Sequence, residues 1–159
     1  MRTPVLACLL LLSCSAGSPF APAVGAVLDA PDAVELLALH PYPHLPQGAP
    51  AGEEDDFHGY RVLGRAALVD AQRVRALVGH VERGIRASDG TVAACFNPRH
   101  GLRFEKAGRT IECLICFECT WIHIYGRGGS EDVTRMLFSA GVEPVLASAM
   151  KAHGLTKAP

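Results

Sequence analysis

The chain has no surplus of charge of either sign: Lys and Arg total 15, Asp and Glu total 16, and the formal net charge is -1. A protein that grips nucleic acid needs a basic surplus to neutralise phosphates, so this balance excludes nucleic acid as an expected partner. Long hydrophobic runs are missing too. The apolar run near the N-terminus, Val5 to Leu12, is too short for a bilayer span, which excludes a multi-span membrane protein. Three catalytic signatures are also absent from the sequence: a serine-based triad motif, a phosphate-cradling glycine loop and a dinucleotide fingerprint. Gly126-Arg127-Gly128-Gly129 precedes a predicted helix, but its spacing fits neither nucleotide motif. With 49% hydrophobic and 19% charged residues, the chain is not wholly disordered. Its 159 residues suit one domain.

Cysteine, by contrast, is plentiful, at six residues, which is more than a reducing compartment usually invites. The first of them lie in an N-terminal stretch with the form of an export signal: Arg2, then Val5 to Leu12 as an apolar run. That run ends in Leu11-Leu12-Ser13-Cys14, which resembles the bacterial lipobox, with a Leu three residues before the cysteine and a small residue just before it. The resemblance implies that residues 1–13 are a signal peptide and that Cys14 is the first mature residue and carries lipid. The chain is then expected in the bacterial cell envelope, anchored on the extracytoplasmic side, with the membrane as a partner through the anchor. Simple secretion, or release to the periplasm after cleavage near Ala21-Pro22-Ala23, is the alternative. Residues 14–32 read as a flexible tether rich in Ala, Pro, Gly and Ser, and residues 33–157 as a single α+β domain.

Within that domain, Val34 to Leu39 is a strand candidate that should stop at His40-Pro41-Tyr42-Pro43, because proline cannot donate to a ladder. Residues 41–58 read as a polar loop carrying Glu53-Glu54-Asp55-Asp56 between His44 and His58; such acidic runs are ordinarily solvated. Tyr60 to Val69 reads as a strand. Asp70 then caps a helix whose apolar stripe is Ala71, Val74, Leu77, Val78, Val81 and Ile85. Arginines lie off that stripe, on a face that could meet anionic lipid or a partner, although a solvated face is the ordinary reading. Thr91 to Phe96 and Leu102 to Glu105 are further strand candidates, and Lys106 to Arg109 is a hairpin turn. The β-rich run Thr110 to Tyr125 is too long for one strand and must bend, bulge or divide. Ser130 should cap a helix burying Val133, Met136, Leu137 and Ala140, and Pro144 should open a last helix. The expected fold is α+β, an antiparallel sheet with helices packed on one face, in the order β-β-α-β-β-β-α-α.

Two stretches could carry chemistry: Cys95-Phe96-Asn97-Pro98-Arg99-His100-Gly101 and Ile115-Cys116-Phe117-Glu118-Cys119. Together they resemble a group of bacterial exported proteins and lipoproteins that pair a Cys-x-x-Pro-Arg-His-Gly stretch with a later Ile-Cys-Phe-Glu-Cys stretch. The resemblance spans roughly residues 30 to 140. It implies no particular reaction, and it makes Cys95, Arg99, His100, Cys116 and Cys119 the positions of interest.

Three chemistries compete for these residues. A structural disulfide would join Cys95 to Cys113, Cys116 or Cys119 and pin neighbouring strands. Zinc, the one cofactor to consider, would take Cys95, His100, Cys116 and Cys119 as its S/N ligands. A reactive thiol would use Cys116-x-x-Cys119, or Cys95 with His100 as base and Glu118 as the orienting carboxylate. Strand alternation separates Cys116 from Cys119, so they can meet only across a bulge or turn. Residues that favour strands continue after Cys119, so the helix N-terminus that lowers a redox thiol's pKa is missing. The expected function is therefore a membrane-tethered extracytoplasmic binding or structural module and not an enzyme, with a protein or small molecule as its ligand. Zinc- or thiol-dependent activity at Cys95/His100/Cys116/Cys119 is the alternative.

Overall fold

The computed structural model describes residues 17–43, 56–127 and 133–159. The signal region with Cys14, the acidic run Glu53 to Asp55 and the Ser130 cap lie outside the described residues. Among the described residues, seven strands form one sheet in which every pair is antiparallel. They are β1 (Ala33–Pro43), β2 (Asp56–Phe57), β3 (Tyr60–Ala67), β4 (His100–Lys106), β5 (Arg109–Cys116), β6 (Trp121–Arg127) and β7 (Val133–Leu137). Their spatial order is β2-β3-β1-β4-β5-β6-β7. The helices are α1 (Pro22–Leu28), α2 (Ala71–Arg86) and α3 (Glu143–Ala152), the last preceded by a short 3-10 turn over Ala140–Val142.

The sheet is built outward from β1, which pairs with β3 on one side and β4 on the other. A central strand buried on both faces needs apolar side chains at every position. Leu36, Leu37, Ala38 and Leu39 meet that need and are all buried. Because successive side chains point to opposite faces, they serve two cores. Leu36 and Ala38 join the larger one, with Leu102, Phe104, Ile111, Cys113 and Ile115 from β4 and β5. Val27 and Leu28 of α1, Val74, Leu77, Val78 and Val81 of α2, and Leu146 and Met150 of α3 enter that same core. Leu37 and Leu39 join the smaller core with Phe57, Tyr60, Val62 and Leu114.

The middle of the α2 stripe is as its spacing predicts, with Val74, Leu77, Val78 and Val81 buried, while Ala71 at its start is exposed and Ile85 half-buried; the Asp70 carboxylate accepts from the backbone N–H groups of Gln72 and Arg73. Val81→Asp is expected to abolish cooperative folding, because an unpaired carboxylate in this core costs several kcal/mol. A chemical denaturation curve of wild-type shape from that variant would contradict the packing. The hairpin turn at Lys106 to Arg109 is also present, with Ala107 at φ 48° and Gly108 at φ 77°, the left-handed pair that suits strand twist. The long β run divides at residues 117–120 into β5 and β6.

The structure corrects four expectations. The segment read as tether contains α1, and Phe20, Val27 and Leu28 are buried in the main core, so its apolar residues pack instead of staying in solvent. β1 continues through Pro41 to Pro43, with register shifts at Ala38/Leu39 and Leu39/Pro43; irregular pairing accommodates prolines that a regular ladder would reject. Thr91 to Phe96 is not a strand; it crosses as irregular, mostly exposed chain. Val133 to Leu137 is strand β7 and not a helix, because the otherwise open edge of β6 pairs with it antiparallel, in register from Trp121 to Tyr125. The observed order is therefore α-β-β-β-α-β-β-β-β-α.

Candidate functional site

The second motif and the end of the first meet at one end of β4 and β5. His100 opens β4 opposite Ile115, and Cys116 closes β5. The chain then turns over residues 117–120, where Thr120 takes a left-handed φ of 56°, and β6 begins at Trp121, in register with Cys116. Across this turn Cys116 and Cys119 pair as a disulfide, with their Cα atoms 5.7 Å apart. Alternation along a continuous strand would have kept them on opposite faces, and the turn removes that obstacle. Both cysteines are buried.

The intervening residues tie the turn to its surroundings. Phe117 presents an edge-to-face contact to His100, with ring centroids 5.0 Å apart, and a second to Phe138 at 5.1 Å. Glu118 accepts from Nη1 of Arg99 at 2.6 Å. Arg99 also donates from Nε and Nη2 to the main-chain oxygen of Pro159, at 3.3 and 3.1 Å. The Thr120 hydroxyl donates to the Thr91 carbonyl, and the Thr120 carbonyl accepts from the backbone N–H of Phe138 at 3.0 Å. The short disulfide turn is thus a junction between β4, the irregular chain before it and the C-terminal segment.

His100 is fully enclosed, at 1% exposure, and neither ring nitrogen has a partner among the described residues. Beside it lies a pocket of about 10 Å³ lined by Asn97, Arg99, His100, Phe117, Glu118, Glu143 and Lys157. That is about the room one water needs, and a water there would satisfy a ring nitrogen. Burial pushes the imidazole down to about 4, helped by the charges of Lys157 and Arg99 and opposed by Glu143. His100 is therefore neutral near pH 7. The sequence offered His100 as a zinc ligand or a base beside Cys95. In the structure Arg99 is spent on Glu118 and Pro159, and His100 faces inward.

The expected bridge from Cys95 is corrected. Cys95 is a free, exposed thiol in the irregular segment, and Cys116 has Cys119 as its partner. Its neighbour Phe96 stacks on His123 of β6 with centroids 3.7 Å apart. The fourth cysteine, Cys113, is free and buried, and burial raises its thiol to about 12, which leaves it inert. Among the described residues no group of three or more His, Cys, Asp or Glu side chains converges as metal ligands would, so Cys95, His100, Cys116 and Cys119 do not form the expected tetrahedral set. Glu118 serves Arg99 and does not orient a Cys95–His100 pair.

A charged cluster missed by the motif reading lies in the middle of the sheet. Glu112 of β5 is 1% exposed and accepts from Nε of Arg103 at 2.8 Å, and its other oxygen lies 3.0 Å from Nε2 of His58. Arg103 also donates to Glu35 at 3.2 Å, which Arg65 reaches at 3.4 Å. His58 holds a left-handed φ of 54° in the β2–β3 turn and stacks on Tyr125 at 3.7 Å. Burial alone would raise the Glu112 pKa, but the hydrogen bonds from His58 and Arg103 outweigh it and hold the carboxyl at about 2. One signal was available: a glutamate inside the apolar run Ile111 to Cys116 must find a partner or stay out of the sheet.

Comparison with protein-family models, with curated proteins and with solved structures found no match for the chain.

Proposed function

We propose that the chain is a lipid-anchored extracytoplasmic domain of the bacterial cell envelope that acts as a binding or structural module, with Cys116–Cys119 as a permanent staple instead of a working thiol pair. The observation that carries the reading is the placement of the two sulfurs: they lie close enough to pair, are buried, and sit in a turn between two strands. A catalytic Cys-x-x-Cys needs an accessible first sulfur, and Cys116 is buried. A cysteine pair placed to form a disulfide suits an oxidising compartment, which agrees with export. The shared core of the three helices and the strands supports a sheet covered by helices on one face. The export and anchor rest on the Leu11-Leu12-Ser13-Cys14 lipobox.

Two results follow. Cys14→Ala should move the protein from the membrane fraction to the soluble envelope fraction of the producing cells, and wild-type protein should carry acyl mass on Cys14. Wild-type protein without lipid would overturn the anchor. Replacing both Cys116 and Cys119 with Ser should cost about 2 kcal/mol, because the closed loop is short. Urea unfolding with and without reductant measures this, and an unchanged midpoint would mean the staple contributes nothing.

A further inference from the structure

We infer that the exposed arginine stripe of α2 is a docking surface for anionic phospholipid headgroups, held against the bilayer by the anchor at Cys14. This rests on the lipid-anchor reading and adds to it an orientation. The described chain begins at Gly17, whose carbonyl accepts from Nη2 of Arg86 at 2.6 Å. One residue on, the Ser18 hydroxyl donates to Glu82 at 2.7 Å. The incoming chain is therefore pinned to the C-terminal half of α2. Only three residue steps separate Gly17 from Cys14, which limits the anchor to within about 11 Å of Gly17. A lipid at Cys14 therefore keeps the C-terminal end of α2 close to the membrane surface.

The face brought there has the matching charge. Arg75, Gly79, Arg83 and Arg86 follow one another at helical spacing, opposite the buried stripe of Val74, Val78 and Val81. Arg75, Arg83 and Arg86 are exposed. Gly79 keeps the stripe low: a Cβ there would lie 3.3 Å from Nη1 of Arg83, so the guanidinium lies back along the helix. The acidic groups on or beside α2 keep their charge, but none occupies a position of the stripe itself. Glu82 accepts from Ser18, Asp70 caps the helix and pairs with Arg73, and Asp89 accepts from the Thr91 backbone. Asp29 and Asp32 share a cleft with Arg75 near the first turn. Each arginine close to an anionic membrane surface favours the docked state by about fivefold.

The test uses the full, natively lipidated chain carrying Cys95→Ser and Ala76→Cys, with an environment-sensitive dye on the new thiol. Ala76 is exposed and flanks the stripe. Cys113 is buried and Cys116–Cys119 is paired, so neither competes for the dye. The protein is placed on phosphatidylcholine vesicles with or without phosphatidylglycerol. The dye should be shielded from water only where phosphatidylglycerol is present, and high salt should reverse it. Adding Arg75→Gln and Arg83→Gln, which leaves the Arg86–Gly17 bond in place, should weaken the docked state about twenty-fivefold. Acyl mass on Cys14 with a dye equally exposed on both vesicles overturns the docking surface and leaves the anchor standing. Absence of acyl mass overturns the anchor, and the docking surface falls with it.

Discussion

Lowering the pH from 7 to 4 is expected to cost the domain about 3 kcal/mol through His100 alone. The imidazole sits at about 4 in the fold against an ordinary 6.5, because burial next to Phe117 disfavours its charged form. A group whose pKa is depressed by folding binds fewer protons in the native state than in the unfolded chain. Its contribution is therefore complete above pH 6.5 and is lost as pH falls through about 4. His123, also held at about 4 by burial and then by the Arg135 charge, acts in the same direction and window. Urea unfolding at intervals between pH 7 and 4 should show the decline. His100→Leu should remove the His100 part of the slope and leave that of His123, since the leucine has no proton to gain. An unchanged slope in that variant would place the titrating group elsewhere.

Arg103→Met should be the more damaging of the buried-charge substitutions, with a loss of about 3–5 kcal/mol at pH 7. The arginine donates to Glu112, which is buried in the sheet, and removing it strands a carboxylate already taken out of water. His58 still faces Glu112 at 3.0 Å. The remedy is to remove the stranded charge as well. Arg103→Met with Glu112→Leu should recover most of the loss, because a packed apolar pair is often as stable as the ion pair it replaces. If Arg103→Met alone is near neutral, the network is decorative. The pH dependence separates this network from His100: the Glu112 carboxyl is held at about 2 against an ordinary 4.5, so its share of stability is present above pH 4.5 and goes as pH falls towards 2.

What the sequence disclosed depended on whether one local rule was enough. The α2 stripe was legible because its apolar spacing, its Asp70 cap and its length all agree. The Lys106–Arg109 hairpin and the division of the long β run were legible because turn chemistry and strand length are local. Val133 to Leu137 misled, since Val133, Met136 and Leu137 fit helical spacing while the open edge of β6, invisible from the segment itself, makes it a strand. Phe20 and the α1 residues misled through composition: Ala, Pro and Gly suggest a tether, but three apolar side chains suffice to seat a short helix in the core.

The site was half legible. The motif residues Arg99, His100, Cys116, Glu118 and Cys119 do gather at one end of β4 and β5. Their roles were not legible. Pairing of Cys116 with Cys119 requires the turn at 117–120, which strand alternation by itself argues against. The inward aim of His100 follows from its position in β4 opposite Ile115, a matter of register. Cys95 belongs to the same motif in sequence, yet the chain around it makes no strand, and its thiol remains exposed.

The most direct test of the account is the intact mass of protein purified from its native membrane, measured with and without reductant and alongside metal analysis. The account predicts a chain that begins at Cys14 with acyl groups attached, gains the mass of two hydrogens on full reduction, and carries no stoichiometric zinc. A chain that retains residues 1–13, shows no gain on reduction, or holds one zinc per molecule would contradict it.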